Sequence, residues 1–254
     1  LSPLSSPRIL DQLCPAPGVE PFRITEFVSG RNTLYLLTGK GATSTAPLVT
    51  MFLDSLVRAA QNYSQHQPGQ RLWPSLRLVL DEAANVAPIP SLPEVMSDSG
   101  GRGIQTIVIC QSFAQMDHRW GREEAEAIRA NATATVYLPG IKEQDRLRDL
   151  SDATGQYRAA RTSYSSTGYT SSTEKENVMT ADDIRRMPVG KGLVFYRGLK
   201  HVVVDLKPWW ERDDAAQIRT DLAEAEQITH RRMPTESTRA DSAHPADLPE
   251  EKAA

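Results

Sequence analysis

The chain has 254 residues, of which 39% are hydrophobic and 24% charged, with a formal net charge of −3. These values are typical of a globular protein that can bury a sizeable core, and the slightly acidic total gives no overall basic field of the kind that attracts nucleic acid. Cys14 and Cys110 are too few for a disulfide framework, and no apolar run is long enough to span a membrane.

The first part of the chain alternates apolar strands with helices. Residues 1–26 are rich in proline and serine and are predicted to be an irregular lead-in. The elements predicted next are a strand at 33–38, a helix at 47–63, strands at 76–80, 104–110 and 132–140, and helices at 121–131 and 142–155. Strands that are apolar throughout and alternate with helices predict an α/β fold with a mainly parallel sheet covered by helices on both faces.

The composition changes after Gly155. Residues 160–177 are rich in Ser, Thr and Tyr and are predicted to form an exposed hairpin or a mobile loop. The predictions that follow are a short helix capped by Thr180 and Asp183, strands at 192–196 and 201–206, and an amphipathic helix at 213–228. The resulting organisation is a lead-in at 1–26, an α/β core at 27–155, a loop and β-rich extension at 156–210, an amphipathic helix at 211–232 and a disordered tail at 233–254.

Polar side chains follow two of the predicted strands. Asp81 and Glu82 come directly after the strand at 76–80, and Gln111 follows the strand at 104–110. In open parallel sheets ligands bind at the carboxyl ends of the strands, and neighbouring strands lie about 4.8 Å apart. An Asp at that edge suits Mg²⁺ held through water, a Glu can take a proton from water, and a Gln can bond a phosphate. The pattern therefore indicates half of a nucleoside-triphosphate site.

The stretch LRLVLDEAANVAPIPSLPEVMSDSGGRGIQTIVICQSFAQMDHRWG resembles the Walker B region and following strand of the TraG/TraD-type coupling ATPases of conjugation and type IV secretion. The resemblance lies in the part of that family described as the TraM-recognition domain. The similar features are the acid pair after the strand, the Pro- and Leu-bearing loop, the short helix, the Gly-Arg-Gly turn and the strand ending in Gln-Ser.

The resemblance implies a RecA-like motor domain that forms a hexamer, binds ATP and Mg²⁺, and drives DNA with its relaxosome proteins toward a type IV secretion channel. It implies that Asp81 holds Mg²⁺ through water, that Glu82 activates water and that Gln111 senses phosphate. Arg102 is the candidate arginine for reaching a neighbour's ATP. The expected location is the cytoplasmic domain of a protein anchored in the inner or plasma membrane, with no transmembrane segment in these residues.

One part of the family's pattern is missing. A Walker A loop reads G-x-x-x-x-G-K-[ST], and its backbone N–H groups and lysine cradle phosphates. The two Gly-Lys pairs, Gly39–Lys40 and Gly190–Lys191, are each followed by Gly. We therefore interpret the chain as the C-terminal part of a motor, inactive as an ATPase when alone.

Two other interpretations remain open from the sequence. The chain fits a DNA-pumping ATPase of the FtsK or HerA kind, and it also fits a non-catalytic module that docks proteins on an ATPase scaffold. The segments 117–122 and 161–170 mix basic and aromatic residues, as either a DNA-facing loop or a solvated surface turn would.

Overall fold

The computed structural model of the chain describes residues 14, 18–37, 46–165 and 168–232. The helices are α1 (Ile24–Ser29), α2 (Ala46–Gln65), α3 (Ala83–Val86), α4 (Leu92–Asp98), α5 (Phe113–Trp120), α6 (Arg122–Ala130), α7 (Gln144–Ala153), α8 (Ala181–Arg185) and α9 (Ala215–Arg232), with 3-10 turns at Pro68–Gln70 and Trp209–Glu211. The strands are β1 (Leu76–Leu80), β2 (Ile104–Val108), β3 (Ala134–Tyr137), β4 (Gln156–Ser165), β5 (Gly168–Asn177), β6 (Lys191–Tyr196) and β7 (Val202–Asp205). The predicted disordered tail at 233–254 lies outside the described residues.

β1 and β2 form a parallel pair that is the centre of the α/β part. Leu76 pairs with Ile104 and Leu80 with Val108, and the connection between the strands passes through α3 and α4. One face of the pair packs under α2, α4, α5 and α6, where the buried side chains are Leu53, Leu56, Val57, Leu78, Leu80, Val95, Ile104, Met116 and Ile128. The predicted parallel strands and their helical crossover are therefore confirmed.

The opposite face of the parallel pair is open. Val79 is 58% exposed, Ile107 47% and Ile109 44%. Successive side chains of a strand point to opposite faces, so these residues alternate with the buried ones on the same strands. In the described residues the helices thus cover one face of β1 and β2.

The strand predicted at 33–38 is wrong within the described part of that range. Residues 33–37 form no strand, and Tyr35 is 81% and Leu37 94% exposed. An apolar run becomes a strand only where a neighbouring strand completes its backbone hydrogen bonds. In the described residues the edges of β1 and β2 do not pair with this run.

The strand predicted at 132–140 exists as β3 but does not join the parallel pair. It pairs antiparallel with β6, so that Val136 lies opposite Val194, and β6 continues antiparallel to β7. The order of this second sheet is β3-β6-β7. An apolar run predicts burial and pairing but carries no information about the direction of its partner, which explains the difference.

A third core cluster joins this antiparallel sheet to the short helices beside it. Five side chains are buried together: Leu147 and Leu150 of α7, Ile184 of α8, Met187 of the loop after α8, and Leu193 of β6. The predicted cap of α8 is present, because the Thr180 hydroxyl accepts a bond from Asp183 N and the Asp183 carboxylate accepts one from Thr180 N.

The predicted hairpin is formed by β4 and β5, and the predicted C-terminal amphipathic helix by α9. α9 is largely exposed, with Leu222 at 49%. Among the described helices, none combines the length and the apolar character needed to cross a membrane.

Candidate functional site

The backbone pairing of β1 and β2 continues beyond the last residues of the two strands. Ile109 N donates to Leu80 O at 3.0 Å, and Ala83 N donates to Ile109 O at 3.0 Å. These two bonds hold the chain after β1 against the chain after β2. The residues that follow each strand are therefore brought to one edge.

Asp81 and Glu82 make the turn from β1 into α3. Glu82 adopts the left-handed conformation, with φ 48° and ψ 43°, which a residue with a side chain rarely takes. Asp81 Oδ1 accepts a hydrogen bond from Glu82 N at 3.1 Å. Asp81 is exposed and Glu82 is half-buried, so the sharp turn presents two adjacent carboxylates at the end of the strand.

Gln111 meets Glu82 across this edge. Gln111 Nε2 donates a hydrogen bond to Glu82 Oε1. Gln111 N donates to Gln115 Oε1 at 3.2 Å, and Gln115 N in turn donates to Ser112 Oγ at 3.1 Å, which caps α5. The structure thus brings together Asp81, Glu82 and Gln111, as their positions after neighbouring parallel strands predict.

The oxygen atoms present at this edge suit Mg²⁺ better than a transition metal. Within the described residues, no group of three or more His, Cys, Asp or Glu side chains is arranged to hold a metal. Mg²⁺ is usually held by one or two carboxylates together with water and phosphate oxygens. The exposed Asp81 carboxylate matches that requirement.

Arg102 lies at the amino end of β2, opposite to the carboxyl edge that holds the acid pair. It precedes the first residue of β2, whereas Gln111 follows the last, so the length of the strand separates Arg102 from the acid pair. Its Nε is 2.6 Å from Asp98 Oδ2. Arg102 is therefore not brought to Glu82 within the chain, and a role at a neighbouring subunit's site stays a prediction.

Cys110 lies between β2 and Gln111, is half-buried and packs against the core. Burial raises the pKa of its thiol, partly offset by a hydrogen bond with the Ala84 backbone. A thiol with a raised pKa forms little of the thiolate that nucleophilic chemistry needs. Cys110 therefore acts as a small apolar side chain packed against the core.

The sequence did not predict an ion cluster that joins α5 to its neighbouring helices. Asp117 of α5 lies 3.5 Å from Arg129 Nη1 of α6 and 3.2 Å from Arg146 Nη2 of α7. Both guanidinium groups also lie over the Phe113 ring, at 5.4 and 5.2 Å from its centroid. Tyr137 of β3 stacks on the same ring at 5.9 Å. These contacts join α5, which begins at the site, to α6, α7 and β3.

The burial of this cluster distinguishes it from a surface ion pair. The side chain of Arg129 is 11% exposed and that of Arg146 is 18% exposed. Burial raises the pKa of Tyr137; the nearby Arg129 and Arg146 partly oppose this increase, and Glu126 adds to it. The only signal in the sequence was the mixed charge of three helices, which is also typical of solvated faces.

The segment 117–122 is mostly helical rather than a loop or turn, while His118, Arg119 and Arg122 are exposed; contact with DNA stays a prediction. Most of these residues belong to α5, and two of their side chains bond inward: Arg119 Nε donates to Ala84 O at 2.7 Å and Trp120 Nε1 to Ile89 O at 2.9 Å. These two bonds attach α5 to α3 and to the loop that follows α3.

Two parallel strands with acidic and amide side chains at their carboxyl edge are typical of α/β proteins that bind nucleotides there. Residues 75–189 match the family model described as the TraM recognition site of TraD and TraG. This match confirms, for that part of the chain, the resemblance to the TraG/TraD-type coupling proteins.

Solved structures of a conjugative coupling protein share the fold. TrwBdeltaN70 in its unbound monoclinic form has 24% identity and a TM-score of 0.50, and the alignment covers 65% of this chain and 39% of that chain. TrwB with the GTP analogue GDPNP has 20% identity, a TM-score of 0.58 and coverage of 73% and 43%. TrwB with ADP and Mg²⁺ has 21% identity, a TM-score of 0.54 and the same coverage.

These likenesses show that the chain has the RecA-like α/β fold of that part of TrwB, with a small antiparallel region beside it. The chain spans about two fifths of the length of the TrwB structures it matches. No curated protein sequence matches it.

Proposed function

We propose that the chain is part of a conjugative coupling ATPase, a motor that links a DNA–protein substrate to a type IV secretion channel. The observation that carries the proposal is the contact between Gln111 and Glu82 beside Asp81 at the carboxyl edge of the parallel pair. The family match at 75–189, which contains all three residues, supports it.

In this proposal the three residues form the half of an ATP site that handles metal and water. Asp81 holds Mg²⁺ through water, and the bound ion neutralises charge on the phosphates. Glu82 accepts a proton from the attacking water. Gln111 fixes one Glu82 oxygen by its hydrogen bond and orients toward the terminal phosphate, so the second Glu82 oxygen is left to accept the proton. TrwB structures with ADPNP and with ADP and Mg²⁺ support these ligands.

Phosphate binding depends on a Walker A loop that these 254 residues lack. The proposal therefore concerns the complete motor. Its working form is a homo-hexamer at the cytoplasmic face of a membrane, and its partners are relaxosome proteins and channel components. The description of the matched model as a TraM recognition site supports docking of a relaxosome protein on residues 75–189.

Replacing Glu82 by Gln in the gene tests the proposal. The amide keeps an oxygen that can accept the Gln111 bond, but it has almost no basicity. We expect nucleotide binding to persist while ATP hydrolysis and plasmid transfer fall by about a hundredfold or more. The measurements are phosphate release by the purified protein and the frequency of transfer to recipient cells.

The matched control is Glu124→Gln, which removes the same charge from an exposed position of α6. This variant should transfer the plasmid at the wild-type frequency. Normal hydrolysis and transfer by Glu82→Gln would remove Glu82 from the role of base and leave the proposal without its main support.

A further inference from the structure

The turn after β1 places Glu82 in a conformation that other contacts must maintain. Its φ of 48° and ψ of 43° lie in the left-handed region, which is unfavourable for a residue with a Cβ atom. A residue keeps such a conformation only where the surrounding structure holds it there. Glu82 directly precedes α3, a helix of only 4 residues. The contacts that hold α3 therefore also determine where the Glu82 carboxylate lies.

The sequence of α3 removes one of the hydrogen bonds that would hold its backbone. In an α-helix the carbonyl of Ala84 accepts from the backbone N–H of the residue four positions further on. That residue is Pro88, which has no N–H. Ala84 is 2% exposed, and a buried carbonyl without a partner is unfavourable. The Ala84 carbonyl therefore needs a donor from outside α3.

Arg119 of α5 supplies this donor. Its Nε atom donates to Ala84 O at 2.7 Å, and the bond is partly shielded from water. A hydrogen bond from a charged donor is stronger than one between neutral groups. Because α3 begins after Glu82 and α5 begins shortly after Gln111, the Arg119 bond joins the two helices that follow the two site residues.

Two other bonds hold the same segment at different places. Ala83 N donates to Ile109 O at 3.0 Å on the side of β2, and Trp120 Nε1 donates to Ile89 O at 2.9 Å beyond the proline. The Trp120 bond keeps the loop attached to α5 when Arg119 is replaced. Loss of the Arg119 bond should therefore loosen α3 without detaching the loop that follows it.

We propose that Arg119 is a positioning residue for Glu82. Its bond to Ala84 O holds α3 against α5, and this keeps Glu82 in the left-handed conformation with its carboxylate bonded to Gln111 Nε2. Arg119 acts through the backbone and takes no part in the chemistry. The inference rests on the proposed function only for its effect on ATP hydrolysis, since the contact between Glu82 and Gln111 forms without nucleotide.

Two substitutions of equal length separate the hydrogen bond from the charge. The side-chain nitrogen of Gln lies as many bonds from Cα as the Nε of Arg, so Arg119→Gln keeps an N–H donor for Ala84 O without the positive charge. Arg119→Met places a methyl group there and keeps no donor. A role that depends on the charge of Arg119, such as contact with nucleic acid or with a neighbouring subunit, would be lost in both variants.

Nuclear magnetic resonance of the 254-residue chain measures the positioning without nucleotide. The side-chain amide signal of Gln111 is assigned by its absence from Gln111→Leu. We expect Arg119→Met to move this signal toward the position of a solvent-exposed glutamine. Hydrogen exchange of the backbone amides at 83–87 should become about tenfold faster or more, because the segment opens more often. Arg119→Gln should keep both properties near those of the wild type.

Kinetics of the complete motor measure the consequence for the reaction. Arg119→Met should lower kcat for ATP about tenfold, because a misplaced base is less effective. KM should stay within about twofold, because phosphate binding depends on the Walker A loop rather than on Glu82. Arg119→Gln should retain most of the wild-type kcat. Loss of folded protein would instead lower the melting temperature, which we expect to stay within a few degrees in both variants.

The matched control is Arg148→Met, which removes the same side chain from a position of α7 where it is 72% exposed. This variant should match the wild type in the Gln111 signal, in amide exchange at 83–87 and in kcat. The same changes in this control as in Arg119→Met would contradict the proposed role, because they would follow from the loss of any arginine.

The outcomes also separate this inference from the proposed function. An unchanged Gln111 signal and unchanged exchange in Arg119→Met would overturn the inference, and so would an equal change in Arg119→Gln. If the signal and the exchange change as expected but kcat does not, Arg119 positions Glu82 as inferred, and the role of Glu82 as the base in the proposed function fails.

Discussion

Gly103 directly precedes β2 and has a φ of +82°. A Cβ atom there would lie 2.6 Å from Leu72 O and 2.9 Å from Leu72 N. Leu72 N donates to the neighbouring Arg102 O at 2.8 Å, so the backbone before β1 lies directly against the backbone before β2. Both the positive φ and the close approach require a residue without a side chain. The Gly-Arg-Gly turn of the family pattern therefore has a physical basis at its second glycine.

Gly103→Ala should destabilise the chain by roughly 2 kcal/mol or more, since the left-handed conformation alone costs about 1–2 kcal/mol for a residue with Cβ. The backbone atoms of Leu72 cannot rotate away as a flexible side chain can, and this adds to the cost. Gly100→Ala, in the same loop, has nothing within 4 Å of its added Cβ and should change stability by about 0.5 kcal/mol at most. Urea denaturation of the two variants measures the difference, and equal midpoints would contradict this account of Gly103.

The helices α5, α6 and α7 are joined by one partly buried ion cluster. Asp117 provides a carboxylate oxygen to each of Arg129 and Arg146, and Glu126 approaches the same two guanidinium groups at 2.6 and 3.9 Å. The Phe113 ring lies under both cations. Because α5 starts directly after Gln111, this cluster also helps to hold the backbone on which the candidate site depends.

Asp117→Asn should cost about 2 kcal/mol of stability, because it leaves two poorly solvated guanidinium groups with fewer counter-charges. The control Asp145→Asn breaks an exposed pair with Arg148 at 3.6 Å, where the aspartate side chain is 93% exposed. Exposed pairs contribute at most about 1 kcal/mol, so this control should stay near wild type. Chemical denaturation at pH 7 compares the two, and a similar loss in both variants would show that the cluster behaves as a surface pair.

The sequence predicts elements and sheet edges better than it predicts contacts between elements. The strand at 76–80 was predicted with its observed bounds, and so was the position of Glu82 and Gln111 at one edge of the sheet, although their direct hydrogen bond was not. The ion cluster was not predictable, since Asp117, Arg129 and Arg146 lie on three helices whose packing no pattern specifies. The antiparallel pairing of β3 was missed for a similar reason, as an apolar run does not encode its partner.

At the scale of the whole molecule, the described helices cover only one face of the β1–β2 pair. The family match, the fold and the acid pair were all accessible from the sequence because they depend on local order along 75–121. The open face of β1 and β2 was not predictable from the sequence, because strands that are apolar throughout predict helices on both faces of the sheet. Val79 and Ile107 are consequently exposed in the described structure, although a parallel sheet normally buries such residues.

This open face should make the isolated chain self-associate, because contiguous exposed apolar surface on a sheet favours contact between copies. Val79→Thr with Ile107→Thr keeps β-forming side chains but makes the face more polar. We expect dye fluorescence from 8-anilinonaphthalene-1-sulfonate to fall to about half, light scattering to decrease, and the melting temperature to stay near that of the wild type. Val189→Thr is the matched control, since Val189 is 97% exposed and lies outside the sheet. Unchanged scattering and dye binding in the double variant, or an equal decrease in the control, would show that the β1–β2 face does not drive association.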